Sequence, residues 1–254
     1  MKANLHKFSQ TILIGANSEI GNQILYETKV GEELTRFYFG RSVPGWTFRE
    51  VDVFKKFNAL EIEKAKIELL DVLLTNNIEC VIMSFASMDY STLKKSEESN
   101  LVNFNCPVVF AEILIQYFRE KYNETKQHGT IIYVSSSITD LNPRLKNFKY
   151  TASKIATEYY LKGLAVQEKY PKTNTRIVII KPGFIRTKLH QNENAGPFAI
   201  DTEKLGRSIR RAIRFNRNII YAPVLIKIPI KILSWLPSKT LDWLDRLQKN
   251  RKTI

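Results

Sequence analysis

Short apolar runs alternate with longer helical patterns along most of this chain, and that alternation constrains its fold more than any other feature. The runs Thr11–Gly15, Arg36–Phe39, Thr47–Val53, Glu79–Phe85, Thr130–Val134 and Arg176–Ile180 are bounded by turn residues. Helical patterns lie between most of them, around Glu19–Lys29, Leu60–Leu74, Leu101–Arg119 and Tyr150–Lys169. Parallel neighbours need a long crossover, so this order predicts a doubly wound α/β fold, a parallel sheet with helices on both faces. Its ligand crevice is expected at the carboxyl ends of the strands. A chain of 254 residues suits one such domain, with a core large enough to stand without disulfides. Neither an internal repeat nor a low-complexity linker divides it. The expectation is one domain over residues 1–217 and an extension over 218–254.

The first strand runs into Gly15-Ala-Asn-Ser-Glu-Ile-Gly21 as a helical pattern begins. A glycine at the strand end allows a tight turn, and the start of a helix offers backbone N–H groups and a positive dipole end to a phosphate. Gly15, Asn17, Ser18, Glu19, Ile20 and Gly21 are therefore candidates for holding a dinucleotide. Glu19 stands where G-x-x-x-G-x-G has its middle glycine, and its carboxylate is expected to face solvent. The second strand ends in Phe39-Gly40-Arg41-Ser42, with no acidic residue to take a ribose 2′-hydroxyl. Gly40 leaves room there, and Arg41 supplies a planar cation suited to a 2′-phosphate, which favours NADPH over NAD.

Further on, Val134-Ser-Ser-Ser137 closes the fifth strand, Tyr150-Thr-Ala-Ser-Lys154 opens a helix, and Lys181-Pro-Gly-Phe-Ile-Arg-Thr187 ends the sixth strand. A tyrosine and a lysine four apart share a helix face. Reducing a ketone needs a proton opposite the hydride, and an ammonium beside a phenol favours phenolate and draws its pKa toward the working range. The spacing alone is uninformative, since Tyr90/Lys94, Tyr117/Lys121 and Tyr122/Lys126 share it. Only Tyr150/Lys154 follows a serine-rich strand end and precedes a Pro-Gly strand end.

In this order, Gly15 and Gly21, Asp52-Val53, Asn103, Ser135-Ser136, Tyr150-x-x-Ser-Lys154 and Pro182-Gly-x-x-x-Thr187 resemble the classical short-chain dehydrogenase/reductase family over residues 10 to 190. The resemblance implies Tyr150 as general acid, with Lys154 lowering its pKa and holding the nicotinamide ribose. It implies Asn103 in a proton relay, a serine that holds the carbonyl oxygen, and Asp52 with Val53 at the adenine. Pro182, Gly183, Ile185 and Thr187 would contact the cofactor, Thr187 on its nicotinamide or phosphate side. Counting from the strand end gives Ser136 as the serine, while counting back from Tyr150 gives Ser137; Ser136 is the choice here. The family's Asn-Asn-Ala-Gly is replaced by Ser84-Phe-Ala-Ser87, so packing around the adenine ribose is expected to differ. Homodimers or tetramers are usual for such enzymes.

Cys80 and Cys106 form no metal or disulfide framework, and His6, His128 and His190 are scattered, so no metal is expected. The N-terminus lacks the apolar stretch of a signal peptide, which makes a cytoplasmic enzyme the expectation. The chain carries a net charge of +14, and after Gly206 twelve lysines and arginines face two aspartates, a surplus of ten. Those cations are interleaved with aliphatic residues, which disfavours nucleic acid as a partner. From Asn218 the chain reads Ile-Ile-Tyr-Ala-Pro, then aliphatics with Lys227, Lys231, Trp235 and Trp243. With Pro223 and Pro229 inside, it suits a segment lying in an anionic membrane interface, or a helix packed on protein, better than a bilayer span.

The Glu-Ile-Gly turn, Arg144-Leu-Lys-Asn-Phe-Lys-Tyr150, Lys181–Lys188 and the Tyr221-Ala-Pro tail together resemble the decaprenylphosphoryl-2-keto-ribose reductases. That branch implies reduction of a polyprenyl-phosphate-linked keto-sugar in cell-envelope polysaccharide synthesis, at the inner face of the membrane. The alternatives are a membrane-associated reductase of a long-chain 3-keto lipid and a non-catalytic NADP-binding scaffold or sensor. Residues Gln191 to Asp201 are expected to form a substrate lid.

Overall fold

A computed structural model describes residues 8–28, 35–44, 52–144, 147–169, 175–187, 199–214 and 217–243. The expected lid lies outside them apart from residues 199–201, as does His190. In chain order the main sheet comprises β1 (Gln10–Ile14), β2 (Thr35–Gly40), β3 (Asp52–Lys56), β4 (Cys80–Met83), β5 (Thr130–Val134), β6 (Arg176–Pro182) and β9 (Ile219–Ala222), with β7 (Ile185–Arg186) and β8 (Ile200–Asp201) paired separately. The seven main strands are all parallel, in the order β3-β2-β1-β4-β5-β6-β9. The order reverses between β1 and β4, and a doubly wound sheet opens its crevice at such a switch point.

Strand residues alternate strictly between the two faces, as a sheet covered on both sides requires. Ile12, Ile14, Val81, Met83, Ile131, Tyr133, Ile177 and Ile179 enter one core. There they meet α2 (Ile62–Thr75), α4 (Cys106–Thr125) and α5 (Phe148–Gln167) through Leu69, Leu73, Phe110, Leu114, Phe118, Leu161 and Leu164. Leu13, Tyr38, Ile82, Ile132, Val178, Ile180 and Ile220 enter the other, against Ile24 and Leu25 of α1 (Glu19–Thr28) and Leu205 and Ile209 of α6 (Thr202–Arg214). Burying one such side chain contributes about 1.5–3 kcal/mol, so two dry layers fix the sheet's register. Among the described residues, only the helical run Leu93–Thr125 is long and apolar enough to cross a membrane, and its Phe110, Leu114 and Phe118 are core residues.

Two expectations shift. The described part of the third strand is Asp52–Lys56, with Arg36 paired to Asp52 and Gly40 to Lys56, so the strand runs on past the expected end at Val53; residues 47–51 of the expected strand lie outside the described residues. The boundary drawn after residue 217 also moves, because β9 pairs with β6 and belongs to the sheet. After β9 the chain forms a turn of 3-10 helix (Val224–Ile226) and then α7 (Lys227–Leu233), with Ile226 and Ile230 packed on Leu141.

Candidate active site

At the switch point Gly15 has φ +99, a left-handed conformation that a side chain would strain. A Cβ there would lie 2.2 Å from the Ser84 carbonyl oxygen, so the turn after β1 lies flat against the end of β4. A Cβ on Gly21 would strike Leu13 and Ser84. Ser18 caps α1 by accepting the Gly21 N–H at 3.0 Å, and its hydroxyl meets that of Ser84 at 2.7 Å. The departure at Ser84 thus packs directly on the turn after β1. The first N–H groups of α1, which have no acceptor within the helix, open on the crevice. Glu19 and Ile20 in that turn are half-buried, so Glu19 is not turned fully to solvent; the positive helix end suits its carboxylate.

The end of β2 comes beside this turn. Gly15 and Ala16 donate to the Phe39 carbonyl, and a Cβ on Gly40 would meet that of Ala16 at 2.9 Å. Asn17 donates to both the carbonyl and the hydroxyl of Ser42, which draws exposed Arg41 and Ser42 to the rim of the turn after β1. Asp52 and Val53 are not brought there. They begin β3, at the amino end of the sheet, while the crevice-side end of that strand runs into Phe57 and Asn58. An adenine contact from Asp52 is therefore corrected: four residues of strand, at about 3.3 Å each, separate it from the crevice.

The catalytic candidates converge on the carboxyl ends of β4 and β5. Helix α3 (Leu93–Asn100) passes into α4 through a π-helical turn, Leu101–Asn105, and such turns often mark functional sites. It directs Asn103 into the interior, where its amide accepts from the Ser87 N–H at 2.8 Å and donates to the Ser87 carbonyl at 2.7 Å. Asn103 also donates to the Tyr90 hydroxyl at 3.0 Å, and that hydroxyl lies 3.0 Å from Ser153 Oγ. Thr157 donates to the Asn103 carbonyl at 2.7 Å, tying the π turn to α5.

Ser136 begins the turn after β5 in extended conformation and is half-buried, its Oγ taking only a 3.5 Å contact from the Ile138 N–H. Ser137 is buried in the 3-10 turn that comes next, so Ser136 is the more exposed of the two serines. Tyr150 lies in the first turn of α5, and Lys154 one turn on is fully buried. Lys154 Nζ donates to the Val134 carbonyl at 3.0 Å and sits 4.6 Å from the centre of the Tyr133 ring. The expectation that Lys154 lowers the Tyr150 pKa is not met. Burial, with a smaller contribution from Tyr90, pushes Tyr150 up to about 12. Burial also brings Lys154 down to about 7. The lysine is committed to a main-chain carbonyl, so desolvation governs both groups.

Pro182 is buried, Gly183 and Thr187 are half-buried, and Ile185 packs its side chain into the core, which leaves only its main chain for a ligand. Gly183 lies against Ile226, where a Cβ would meet Cγ1 at 3.2 Å. Sequence reasoning missed the role of Tyr90, which it knew only as part of a repeated spacing. It also missed an ionic set beneath the serine turn, in which buried Glu158 and Lys181 meet half-buried Asp140 and Tyr221. Among the described residues no group of histidines, cysteines and carboxylates is arranged to hold a metal.

Known proteins share this fold. The chain resembles, at 15% identity and a TM-score of 0.69, a short chain dehydrogenase of Burkholderia cenocepacia J2315 in complex with NADP, covering 90% of this chain and 94% of that one. It resembles a 3-oxoacyl-[acyl-carrier protein] reductase of Brucella melitensis in complex with NAD at 15% identity, TM-score 0.68, covering 85% and 96%. For a short chain dehydrogenase of Shigella flexneri 2a complexed with NADP the values are 15%, 0.66, 87% and 98%. The family profile described as short chain dehydrogenase matches residues 48–197. That match spans more than half of the chain and decides what the low identities leave to fold alone: this protein belongs to the short-chain dehydrogenases, NAD(P)-dependent oxidoreductases.

Proposed function

We propose that this protein is an NADPH-dependent reductase of a keto-sugar carried on a polyprenyl phosphate, acting in cell-envelope polysaccharide synthesis at the inner membrane surface. The observation that carries the reductase reading is the convergence of the Ser136 turn, Tyr150 and Lys154 of α5, and Asn103 at one end of the sheet. Bound NADPH would supply hydride to the carbonyl carbon. The Ser136 hydroxyl donates to the carbonyl oxygen and fixes its direction. Tyr150, held protonated by burial, gives that oxygen its proton as it becomes an alcohol. Lys154 and the Asn103 network return a proton to Tyr150. Gly15, Asn17, Ser18, Glu19, Ile20 and Gly21 line the pyrophosphate side, and Pro182, Gly183, Ile185 and Thr187 the nicotinamide side.

The preference for NADPH rests on Arg41 and Ser42 at the rim and is supported by NADP in two of the similar structures. A guanidinium–phosphate contact contributes about 1.5–3 kcal/mol. Arg41→Ala is therefore expected to weaken NADPH binding by roughly 10- to 100-fold and to change NADH binding by less than about threefold. Fluorescence titration of both nucleotides checks this, and equal losses for the two would remove Arg41 from the 2′-phosphate.

A lipid-borne substrate is supported by the tail. Ile226 and Ile230 pack inward, while Val224, Leu225, Ile228, Ile232 and Trp235 are exposed among Lys227 and Lys231, a pattern suited to an anionic bilayer surface. The tail also adjoins the site: Ile226 lies on Gly183, and Asn142 donates to the Ser234 and Leu236 carbonyls. A homo-oligomer fits the outer face of α5, where Ile155, Tyr159 and Val166 are exposed. The test is NADPH consumption with a polyprenyl-phosphate 2-keto-pentofuranose beside a long-chain 3-keto ester. Turnover of the sugar alone is the expected result; turnover of the ester alone would assign the protein to lipid ketones.

A further inference from the structure

Beneath Ser136 lies an ionic set that the reaction itself does not use. Glu158 is almost fully buried on α5, one turn beyond Lys154 and two beyond Tyr150, on the same helix stripe. Its Oε1 accepts from Ser135 Oγ at 2.5 Å and lies 2.7 Å from the Thr139 hydroxyl. That hydroxyl also lies 2.7 Å from the Ser136 carbonyl, so its single proton is shared between the two acceptors. Glu158 Oε2 is 2.8 Å from Lys181 Nζ and 3.3 Å from Lys162 Nζ. Lys181, buried on β6, also pairs with Asp140 at 2.5 Å, and Tyr221 of β9 donates to the other Asp140 oxygen at 2.6 Å. Two cations face two carboxylates, and the Glu158 and Asp140 oxygens all have partners.

Such a set is a poor way to gain stability, because the desolvation of buried ions offsets their attraction and apolar residues of similar volume do as well. What it supplies is direction. The residue before Ser136 and the third residue after it are both held by one carboxylate oxygen, and that oxygen belongs to the helix that carries Tyr150. We propose that Glu158 is a positioning residue: by clamping Ser135 and Thr139 it fixes the Ser136 hydroxyl relative to the Tyr150 phenol, with Lys181 and Asp140 holding the clamp from β6 and the serine turn. This rests on the reading of Ser136 as the group that holds the carbonyl oxygen.

Two double variants separate clamping from packing. Both lose the ion pair, but Glu158→Gln/Lys181→Met keeps an acceptor oxygen for the two hydroxyls, whereas Glu158→Leu/Lys181→Met removes it. In NADPH-driven reduction of phenanthrenequinone, the leucine variant is expected to lose roughly 10- to 100-fold in kcat with KM and NADPH affinity little changed. The glutamine variant is expected to recover most of that loss. Amide hydrogen exchange over residues 135–142 is expected to quicken in the leucine variant and not in the glutamine variant. Equal kcat and equal exchange in the two would overturn the proposal. If the leucine variant does not fold, Ser135→Ala/Thr139→Val, which leaves every charge paired, takes its place: a kcat loss of the same order supports the clamp, and an unchanged kcat overturns it. A wild-type protein that binds NADPH but reduces none of this quinone, the keto-sugar and the 3-keto ester would overturn the reductase reading, and the exchange comparison would then still decide the role of Glu158.

Discussion

Tyr150→Phe is expected to lower NADPH-driven reduction by about a thousandfold or more while NADPH affinity stays within about threefold. The variant keeps the ring and removes only the proton that the carbonyl oxygen must receive. Its pH profile carries the sharper information. Burial pushes the phenol up to about 12, so Tyr150 is in its acid form throughout the neutral range. Burial also brings the Lys154 ammonium down to about 7, so that cation is present below this value and lost above it. Reduction needs the phenol and a cation to reprotonate it, and is expected to be fastest below about pH 7 and to decline above. Oxidation needs phenolate, whose fraction rises about tenfold per pH unit below the phenol's pKa. The reverse reaction is expected to climb with pH accordingly. Both titrations act in the same direction, and Tyr150→Phe should abolish both slopes. A variant that retains a tenth of the wild-type rate, with its pH dependence intact, would take the proton transfer away from Tyr150.

Why Tyr150 could be read from the chain when Glu158 could not is a question of range. The tyrosine is marked by local order, a serine-rich strand end before it and a Pro-Gly strand end after it. Gly15 is marked because a strand meeting a helix in so few residues demands a conformation that side chains resist. The ionic set has no such trace. Asp140 and Tyr221 are 81 positions apart, and nothing near either residue announces the other. Tyr90 carried a misleading signal, a lysine four residues on, while its actual partners are Asn103 and Ser153. The end of the third strand was placed too early because it is an edge strand with only partial burial, so no apolar pattern marks where it stops. That early end put Asp52 at the wrong end of the sheet. β9 was hidden for the opposite reason: four strand residues open a longer apolar tail and share its composition. The π turn that carries Asn103 inward also leaves no pattern in residue types, since one inserted residue in a helix changes register and not composition.

The second large effect is expected from a single methyl group, and its size is set by where the two ends of the switch point touch. Gly15→Ala puts a side chain at φ +99, which costs about 1–2 kcal/mol, and sets its Cβ 2.2 Å from the Ser84 carbonyl oxygen. That oxygen belongs to the main chain at the end of β4, so no rotamer change relieves the overlap; β1 and β4 must separate beside the turn proposed to hold the phosphates. Overpacking of this kind costs about 1–3 kcal/mol more. The expected result is a fall of roughly 5–15 °C in melting temperature and a loss of NADPH affinity of about 100-fold or more. Gly163→Ala provides the contrast within the same chain. Gly163 lies inside α5 with no atom within 4 Å of its would-be Cβ, so alanine there should stabilise by about 0.4–1 kcal/mol and leave NADPH binding unchanged. Thermal unfolding and nucleotide titration of the two variants side by side measure how much of the binding resides in the contact between β1 and β4. If alanine were tolerated equally at both positions, the main chain at Ser84 would have to yield, and the cradle would owe its shape to the nucleotide rather than to the fold.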